Sequence, residues 1–520
     1  MSSRSHRSSE SVARASSLPM WARVALLAGL LSFAAPPAAR AADEIHWTIM
    51  GQTAVTFDWR GSETAVSYGL TTAYGQTATG VTPTPLPFSS AGPFYEARIT
   101  GLQENTLYHY SIGVGPDHTF RTPPPRGSSN FTVCAEGDVG DGTTFPRMRL
   151  VQADIAAGQP AFVLLAGDIS YANDFGQAAA DRHFNDVMVW SRDAAYMPAW
   201  GNHEWDTPED DLRNYKGRFD LPNAQTSPGS PAVSCCGEDW YWFDYGNARF
   251  IAYPEPFSGA WSDWNTKART LMDQAQADPA IQFIVTFGHR PAYSSGYYHP
   301  GDATLKRYLD ALGTAHSKYV LNLNGHSHDY ERTYPQSGVT HITVGNGGAN
   351  LEAEDDTDCL WGGGCPPPAW TACRAMHHGS LRLHFTMGGI QGEEICGPAG
   401  SSSSPNDITC VEGAVIDQFT IGSPTLSALP PVGEGFRLIA AAPNPVTADL
   451  DVLFTLDGRG AATLDVLDVA GRRIHHADLG SSPGAQSVRV PRSVFPHAGL
   501  FYIRLRRARD EVSSKVVVVR

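Results

Sequence analysis

Charge is scarce in this chain, at 18% of 520 residues, and it leans acidic: 38 Lys and Arg stand against 53 Asp and Glu, for a net charge of -15. No basic run is longer than Arg504 to Arg509. Such a chain is poorly suited to gripping a phosphate backbone, which argues against nucleic-acid binding. The eight cysteines include no C-x-x-C pair, so a zinc site built on paired thiolates is not expected. HExxH is absent too, which removes the helix-borne zinc proteases. Beyond the N-terminal segment no hydrophobic stretch is long enough to cross a bilayer.

What is present describes a loop-rich globular protein. Hydrophobic residues make up 42%, with 51 Gly and 37 Pro, and the length suggests about three domains. Near the N-terminus, Val24 to Ala35 is an apolar core of secretory length, followed by the small-x-small site Ala39-Arg40-Ala41. Residues 1–41 therefore read as a signal peptide cleaved near Ala41, with Met20 as a possible alternative start, and the mature protein as secreted or held at the cell surface. Removing that segment, with its five Arg and one Glu, moves the net charge to -19. Disulfides suit such a destination: Cys396 and Cys410 could close a short loop, Cys359, Cys365 and Cys373 sit in a Gly/Pro-rich insertion, and Cys235 and Cys236 are adjacent. Cys134 lies in an apolar strand and reads as simply buried.

From about Asp43 to Pro125 short alternating runs recur (Val55, Phe57, Trp59; Tyr108, Tyr110, Ile112; Thr119 to Thr122), which predicts a small antiparallel sandwich ending at Pro123-Pro124-Pro125. From Asn130 to about Ile421 the pattern becomes strand, turn, helix. Apolar strands are expected at Phe131 to Ala135, Ala161 to Ala166, Phe250 to Ala252, Ile281 to Phe287, Tyr319 to Leu323 and Ile342 to Val344, with a helix at Met148 to Ala157. This is an α/β core with long loops at the carboxyl ends of its strands. After Ser401 to Ser404 and Pro430-Pro431, alternation returns from Leu450 to Val519 as a second β-sandwich. The expected fold is multidomain: signal peptide 1–41, β-sandwich 43–125, α/β core 128–422, linker 423–435, and β-sandwich 436–520.

Five short motifs occur in order in the middle domain: GDVG with Asp138, GDISY with Asp168 and Tyr171, GNHE with Asn202 and His203, TFGH with His289, and GHSH with His326 and His328. Singly, each has a dull explanation, since Asp after Gly is most often a turn residue or helix cap. Jointly they place oxygen and nitrogen donors at strand-to-loop junctions that can converge on one edge of a sheet. That is what a two-metal site needs. Two metals roughly 3.5 to 4 Å apart share an anionic bridge, and Asp168 is the best bridge. With no thiolate in the set, iron-sulfur and structural zinc chemistry are excluded and Fe, Zn or Mn suit the donors.

The ordered set resembles the purple acid phosphatases, a branch of the calcineurin-like metallophosphoesterases; the stretch GHSHDYERTYP, Gly325 to Pro335, is particularly similar. The resemblance runs from about residue 43 to 420 and implies an αββα core behind a fibronectin type III-like N-terminal domain, whose E-to-F corner resembles Ile99 to Tyr110. Generic members of the superfamily carry His two residues after the first Asp, where this chain has Gly140; it has Tyr171 instead. A phenolate favours trivalent iron, so this exchange separates the purple branch. The resemblance implies that Asp138, Asp168, Tyr171 and His328 hold Fe(III), and that Asp168, Asn202, His289 and His326 hold a divalent Zn, Fe or Mn. It further implies that His203 and His299 contact phosphate and assist departure of the leaving group, with Asp302 available to orient His299. His377 and His378 match no motif and are expected at the surface or behind the ligands. Thr286 stands where relatives usually have Val. The frame around Pro443-Asn-Pro445, Leu467 to Arg472 and Gly499 to Leu505 resembles C-terminal sorting modules of secreted bacterial proteins, which implies contact with export machinery.

Two cations would lower the pKa of a bound water, so that a metal-bound hydroxide attacks phosphorus below neutral pH, while histidine protonates the departing alcohol. The expected activity is a secreted acid phosphatase acting on small phosphate monoesters. A phosphodiesterase or phytase on the same metals is the alternative within chemistry, decided by the loops Thr207 to Val233 and Asn350 to Arg374. A surface binding protein around a dead core is the alternative outside it, and the complete set of donors argues against that.

Overall fold

The computed structural model describes residues 42–519 apart from 206–210, 232–236, 297, 353–367, 399–410, 423–435, 443–445, 447–448, 457–458, 482–483 and 509. The expected signal peptide and linker, and Cys235, Cys236, Cys359, Cys365 and Cys410, lie outside the described residues.

An α/β core with two facing sheets occupies the middle of the chain, with β-rich regions at both ends. The N-terminal region has strands β1 (Asp43–Gly51), β2 (Ala54–Arg60), β3 (Ala65–Gly69), β4 (Gln76–Thr79), β5 (Phe94–Ile99), β6 (Leu107–Ile112) and β7 (His118–Arg121). They form the antiparallel sheets β1-β2-β5 and β4-β3-β6-β7, closed over Trp47, Phe57, Tyr110 and Phe120. The C-terminal region has β21 (Arg437–Ala442), β22 (Leu450–Leu456), β23 (Ala462–Asp468), β24 (Arg473–Gly480), β25 (Gly484–Val490), β26 (Gly499–Arg507) and β27 (Asp510–Val518). These pair as β21-β22-β25 and β24-β23-β26-β27 around an apolar cluster of their own that includes Leu464, Val466, Phe501 and Ile503.

Between them, β8 (Phe131–Glu136), β9 (Phe162–Ala166), β10 (Ala195–Ala199), β18 (Gly379–Phe385), β19 (Gly389–Cys396) and β20 (Val415–Gly422) form one six-stranded sheet in the order β10-β9-β8-β18-β19-β20. A second sheet of seven runs β11-β12-β13-β14-β16-β15-β17, from β11 (Trp242–Tyr245), β12 (Ala248–Ala252), β13 (Phe283–Phe287), β14 (Tyr319–Asn324), β15 (Tyr330–Thr333), β16 (Thr340–Val344) and β17 (Thr371–Ala375). The inner faces meet through aromatic rings: Phe162 packs on Phe243 and Phe250, and Phe385 on Phe250 and Phe283. Helices α1 (Met148–Gly158), α2 (Ala172–Phe175), α3 (Ala178–Asp186), α4 (Met188–Ser191), α5 (Arg213–Lys216), α6 (Ala260–Ala277) and α7 (Ala303–Ala315) connect the strands. None of the described helices is long and apolar enough to cross a membrane.

Strands covered on both faces read as continuous apolar runs. Phe162-Val-Leu-Leu-Ala166 is buried at every position and pairs in parallel with both neighbours. β12, β13, β14 and β16 also run parallel. Thr286 interrupts the apolar run of β13 without leaving polar atoms stranded: its hydroxyl meets Tyr319 Oη at 2.7 Å and accepts from Asn322 Nδ2 at 2.9 Å. The N-terminal region is tied to the core by charge as well as by packing. Arg60 pairs with Asp43 and Asp181, and Arg218 pairs with Glu44 and Asp181.

Of the cysteines, Cys134 is buried and free, as expected, and Cys396 is disulfide-bonded. Cys373, expected among the bridged cysteines of the insertion, is instead free on β17. His377 and His378 are buried rather than at the surface, held by main-chain carbonyls of His378 and Asn346.

Candidate metal centre

The seven expected donors come together, although not on the edge of a single sheet. Asp138 follows β8, Asp168 and Tyr171 follow β9, and Asn202 follows β10, all in the six-stranded sheet; His289 follows β13, and His326 and His328 follow β14, in the other. The cluster therefore sits where the carboxyl ends of two facing sheets meet. Pairing partners are set by distant segments of chain, which the individual motifs do not encode.

The two Asp loops are zipped together by their backbones. Asp138 N, Val139 N and Gly140 N donate to the carbonyls of Gly167, Asp168 and Ile169 at 3.1, 3.0 and 2.9 Å. Asp138 Oδ2 also accepts from His326 N at 2.8 Å, which binds a loop of one sheet to a ligand of the other. This approach depends on Gly325, where a Cβ would lie 2.3 Å from that same oxygen.

Around Asp168, His289 Nε2 lies 3.2 Å from Oδ2, 3.1 Å from Asn202 Oδ1 and 3.1 Å from His326 Nδ1. Around Asp138, His328 Nε2 lies 3.2 Å from Oδ1 and 3.1 Å from Tyr171 Oη. Ligand atoms of Asp168, His289 and His326 lie within 4.8 Å of one another, and so do those of Asp138, Asp168 and His328. Asp168 is common to both groups. The outer nitrogens of two of the imidazoles are already engaged, His289 Nδ1 by Ala166 O at 2.9 Å and His328 Nδ1 by Asn350 O at 2.6 Å. That leaves Nε2 turned inward as a donor, the usual arrangement behind a metal.

The electrostatics fit a pair of cations. Burial works against the charged form of His289, but the Asp168 carboxylate outweighs it and lifts the imidazole to about 10. His328 follows the same logic: burial lowers it, Asp138 raises it, and it reaches about 9. Asp168, which burial alone would raise, is held below the ordinary carboxylate range by His289 and His203. Burial and then the Asp138 and Asp168 carboxylates push Tyr171 well above an ordinary phenol. The raised values of His289, His328 and Tyr171 answer the buried Asp138 and Asp168 carboxylates, negative charge that metal ions are suited to balance.

His203 and His299 flank the donors. His203 donates its main-chain N–H to Asp168 Oδ1 at 3.0 Å, and its ring lies 4.3 Å from that of Tyr171. His299 is 4.3 Å from His326 and 5.7 Å from His328, ring to ring. Asp302 does not orient it: its carboxylate caps α7, accepting from Thr304 N at 2.7 Å and Leu305 N at 2.9 Å. The carboxylate beside His299 belongs to Glu352, with Oε1 4.0 Å from Nδ1. Gly140, where a ligand His is missing, has φ +76°, and a Cβ there would strike the Phe145 ring, which packs against Tyr171.

Three supporting residues escaped the sequence reading. Glu204 is buried and accepts from the backbone N–H groups of Asp168, Ile169 and Gly201 at 2.9, 2.9 and 2.7 Å; its signal was the acid in GNHE itself. Asn173 Oδ1 meets His203 Nδ1 at 2.9 Å. Arg290 stands between the buried Glu255 at 3.1 Å and His326 Nε2 at 2.6 Å.

The calcineurin-like phosphoesterase family matches residues 131–330, the stretch that holds all seven donors. That stretch is similar to the calcineurin-like phosphoesterases. Among curated relatives, purple acid phosphatase 15 of Arabidopsis thaliana is 26% identical over 333 residues, covering 54% of this chain and 58% of its own length. Fe(3+)-Zn(2+) purple acid phosphatase 12 of the same plant is 25% identical over 328 residues, covering 56% and 66%. This chain thus spans less than two thirds of either. Among solved structures, purple acid phosphatase PPD1 from yellow lupin seeds shares this chain's fold at a TM-score of 0.55 and 20% identity, over 74% of each chain.

Proposed function

We propose that the protein is a secreted acid phosphatase that hydrolyses small phosphate monoesters at a dinuclear metal centre. The observation that carries this reading is the pair of donor groups joined through Asp168, set in a phosphoesterase core. Asp138, Asp168, Tyr171 and His328 would hold Fe(III), and Asp168, Asn202, His289 and His326 a divalent ion such as zinc. A relative whose name specifies Fe(3+) and Zn(2+) supports that pairing.

When bound, the two ions supply an activated water and neutralise the phosphoryl oxygens. The chain does the rest. His203, fixed by Asn173 and by its own backbone bond to Asp168, would contact a bound phosphate from the Tyr171 side. His299, half-buried over His326 and His328, would give the departing alkoxide its proton; burial lowers this imidazole to about 4, so the protonated form belongs to acid pH. Glu204 keeps Asp168 and Ile169 from moving by accepting both of their N–H groups.

The test is one preparation of the mature protein with metal analysis, a visible spectrum, and assays on aryl phosphate monoesters and diesters below pH 7. About two metals per chain, monoester preference and a visible phenolate-to-iron band are expected. Tyr171→Phe should abolish the band and keep some activity. A colourless, metal-free, inactive protein overturns the reading; a strong diester preference overturns its substrate class.

A further inference from the structure

The loop Pro291–Asp302, between β13 and α7, carries His299 and has no regular secondary structure among its described residues. Two buried carboxylates nevertheless grip it. Glu352 Oε1 accepts from Tyr298 N at 2.5 Å and His299 N at 3.3 Å, while Oε2 accepts from Ser327 Oγ at 2.6 Å. Ser327 lies between His326 and His328, and Glu352 N donates to the His328 carbonyl at 3.0 Å. Four residues before His299, Ser295 is seized by Glu331: its N donates to Oε2 at 2.8 Å and its Oγ to Oε1 at 2.7 Å. The Glu352 side chain is 1% exposed and Glu331 is equally buried.

Buried carboxylates are costly unless hydrogen bonds satisfy them, and charge-assisted bonds to backbone N–H groups are among the stronger ones. Here those bonds do not build a helix or a sheet. They join the irregular loop to the two segments that bracket the donors, β15 just after His328 and the turn after β16. His299 Nδ1 makes no hydrogen bond with any described residue, so the ring takes its place from its backbone and from its stacking on His326 and His328.

Resting on the phosphatase reading above, we propose that Glu331 and Glu352 are positioning residues that clamp the His299 loop to the donor loops, so that His299 meets the leaving-group oxygen. Misplacing a proton donor by an ångström costs about 100-fold, and the loss appears only where the leaving group needs the proton. An aryl oxide with a low pKa departs with little help, whereas an alkoxide does not.

The experiment uses the full metal-loaded chain and a series of phosphate monoesters from p-nitrophenyl to simple alkyl. Glu352→Ala should lose about 100-fold in kcat on alkyl phosphates and roughly tenfold or less on p-nitrophenyl phosphate, with metal content retained. Glu352→Gln should recover most of the loss, because an amide keeps an acceptor toward Tyr298 and His299 and donates to Ser327 Oγ. His299→Ala should show the same dependence on leaving group, and adding Glu352→Ala to it should cost little more. An equal fall across the whole series, or full additivity with His299→Ala, overturns the clamp. Hydrogen exchange of the 291–302 peptide tests it even if no ester is hydrolysed. Glu352→Ala and Glu331→Ala should each speed that exchange about tenfold, the worth of one lost net hydrogen bond. Unchanged exchange in both variants rejects the clamp, while fast exchange in a protein inactive on every ester rejects the phosphatase reading alone.

Discussion

Glu136 closes β8 two residues before Asp138, and its side chain is fully buried. Oε2 accepts from Gln152 Nε2 at 2.8 Å, Gln152 in turn accepts from Trp190 Nε1 at 2.7 Å, and Oε1 has no partner among the described residues. Burial pushes this carboxyl up to about 8 from an ordinary 4.5, opposed only by the Gln152 bond. A group whose pKa rises on folding contributes stability that is fully present below the unfolded value and is lost as pH climbs through the folded one. Each pH unit between the two is worth about 1.4 kcal/mol, so the contribution lost by pH 8 approaches about 5 kcal/mol. Glu136→Gln removes the titration while keeping the shape and an acceptor for Gln152. The variant should match or fall slightly below the parent at pH 5 and exceed it by several kcal/mol at pH 8.5. In thermal melts at matched metal load that appears as a higher midpoint, about 2 °C per kcal/mol for a core of this size. Glu394 is likewise raised to about 8, by burial, so some pH dependence should persist in the variant. Parallel pH profiles for parent and variant would refute the reasoning. These two carboxyls thus favour the fold in the acid range where the proposed chemistry runs.

Two further substitutions probe the ground around the site. Thr286→Val strips a partner from Tyr319 Oη and Asn322 Nδ2 and should cost about 1–3 kcal/mol in thermal melts. Adding Tyr319→Phe should return part of that loss, and a neutral single variant would show that the hydroxyl supports nothing. Gly140→Ala puts a Cβ 2.2 Å from Phe145 Cδ2 at a φ of +76°, so backbone strain of about 1–2 kcal/mol adds to overpacking of about 1–3 kcal/mol. It should lower the melting midpoint and shift the visible band by displacing Phe145 from Tyr171; an unchanged midpoint counts against the steric account.

Much of the core was legible because strands such as Phe162–Ala166 are covered on both faces and are apolar throughout. The candidate donors stood out because each lies just past a largely buried strand. What local sequence could not convey was partnership. Asp302 precedes α7 with the look of a free acid near His299, yet it serves as a helix cap, and Glu352, fifty-three residues beyond His299, stands beside the imidazole instead. The same holds for the two-sheet origin of the donors, since nothing in TFGH or GHSH says which sheet its strand joins.

Backbone conformation supplies the remaining link between these motifs and their chemistry. Asp138, Asp168, Tyr171 and His326 all have positive φ, at 55°, 51°, 55° and 73°. Asp tolerates this region through local hydrogen bonding, but Tyr and His gain nothing from it, and such residues persist only where their surroundings over-determine them. Here the surroundings are identifiable. Three backbone bonds join the Asp138 and Asp168 loops, Glu204 takes two N–H groups from the second of them, and Asp138 Oδ2 takes the N–H of His326. The left-handed turn at each position bends the chain sharply off its strand, which lets short, stiff loops from two sheets deliver side chains to one point. Strain and donors therefore share an origin, and the glycines that punctuate the motifs, such as Gly325 beside Asp138, are there because the loops must pass this close.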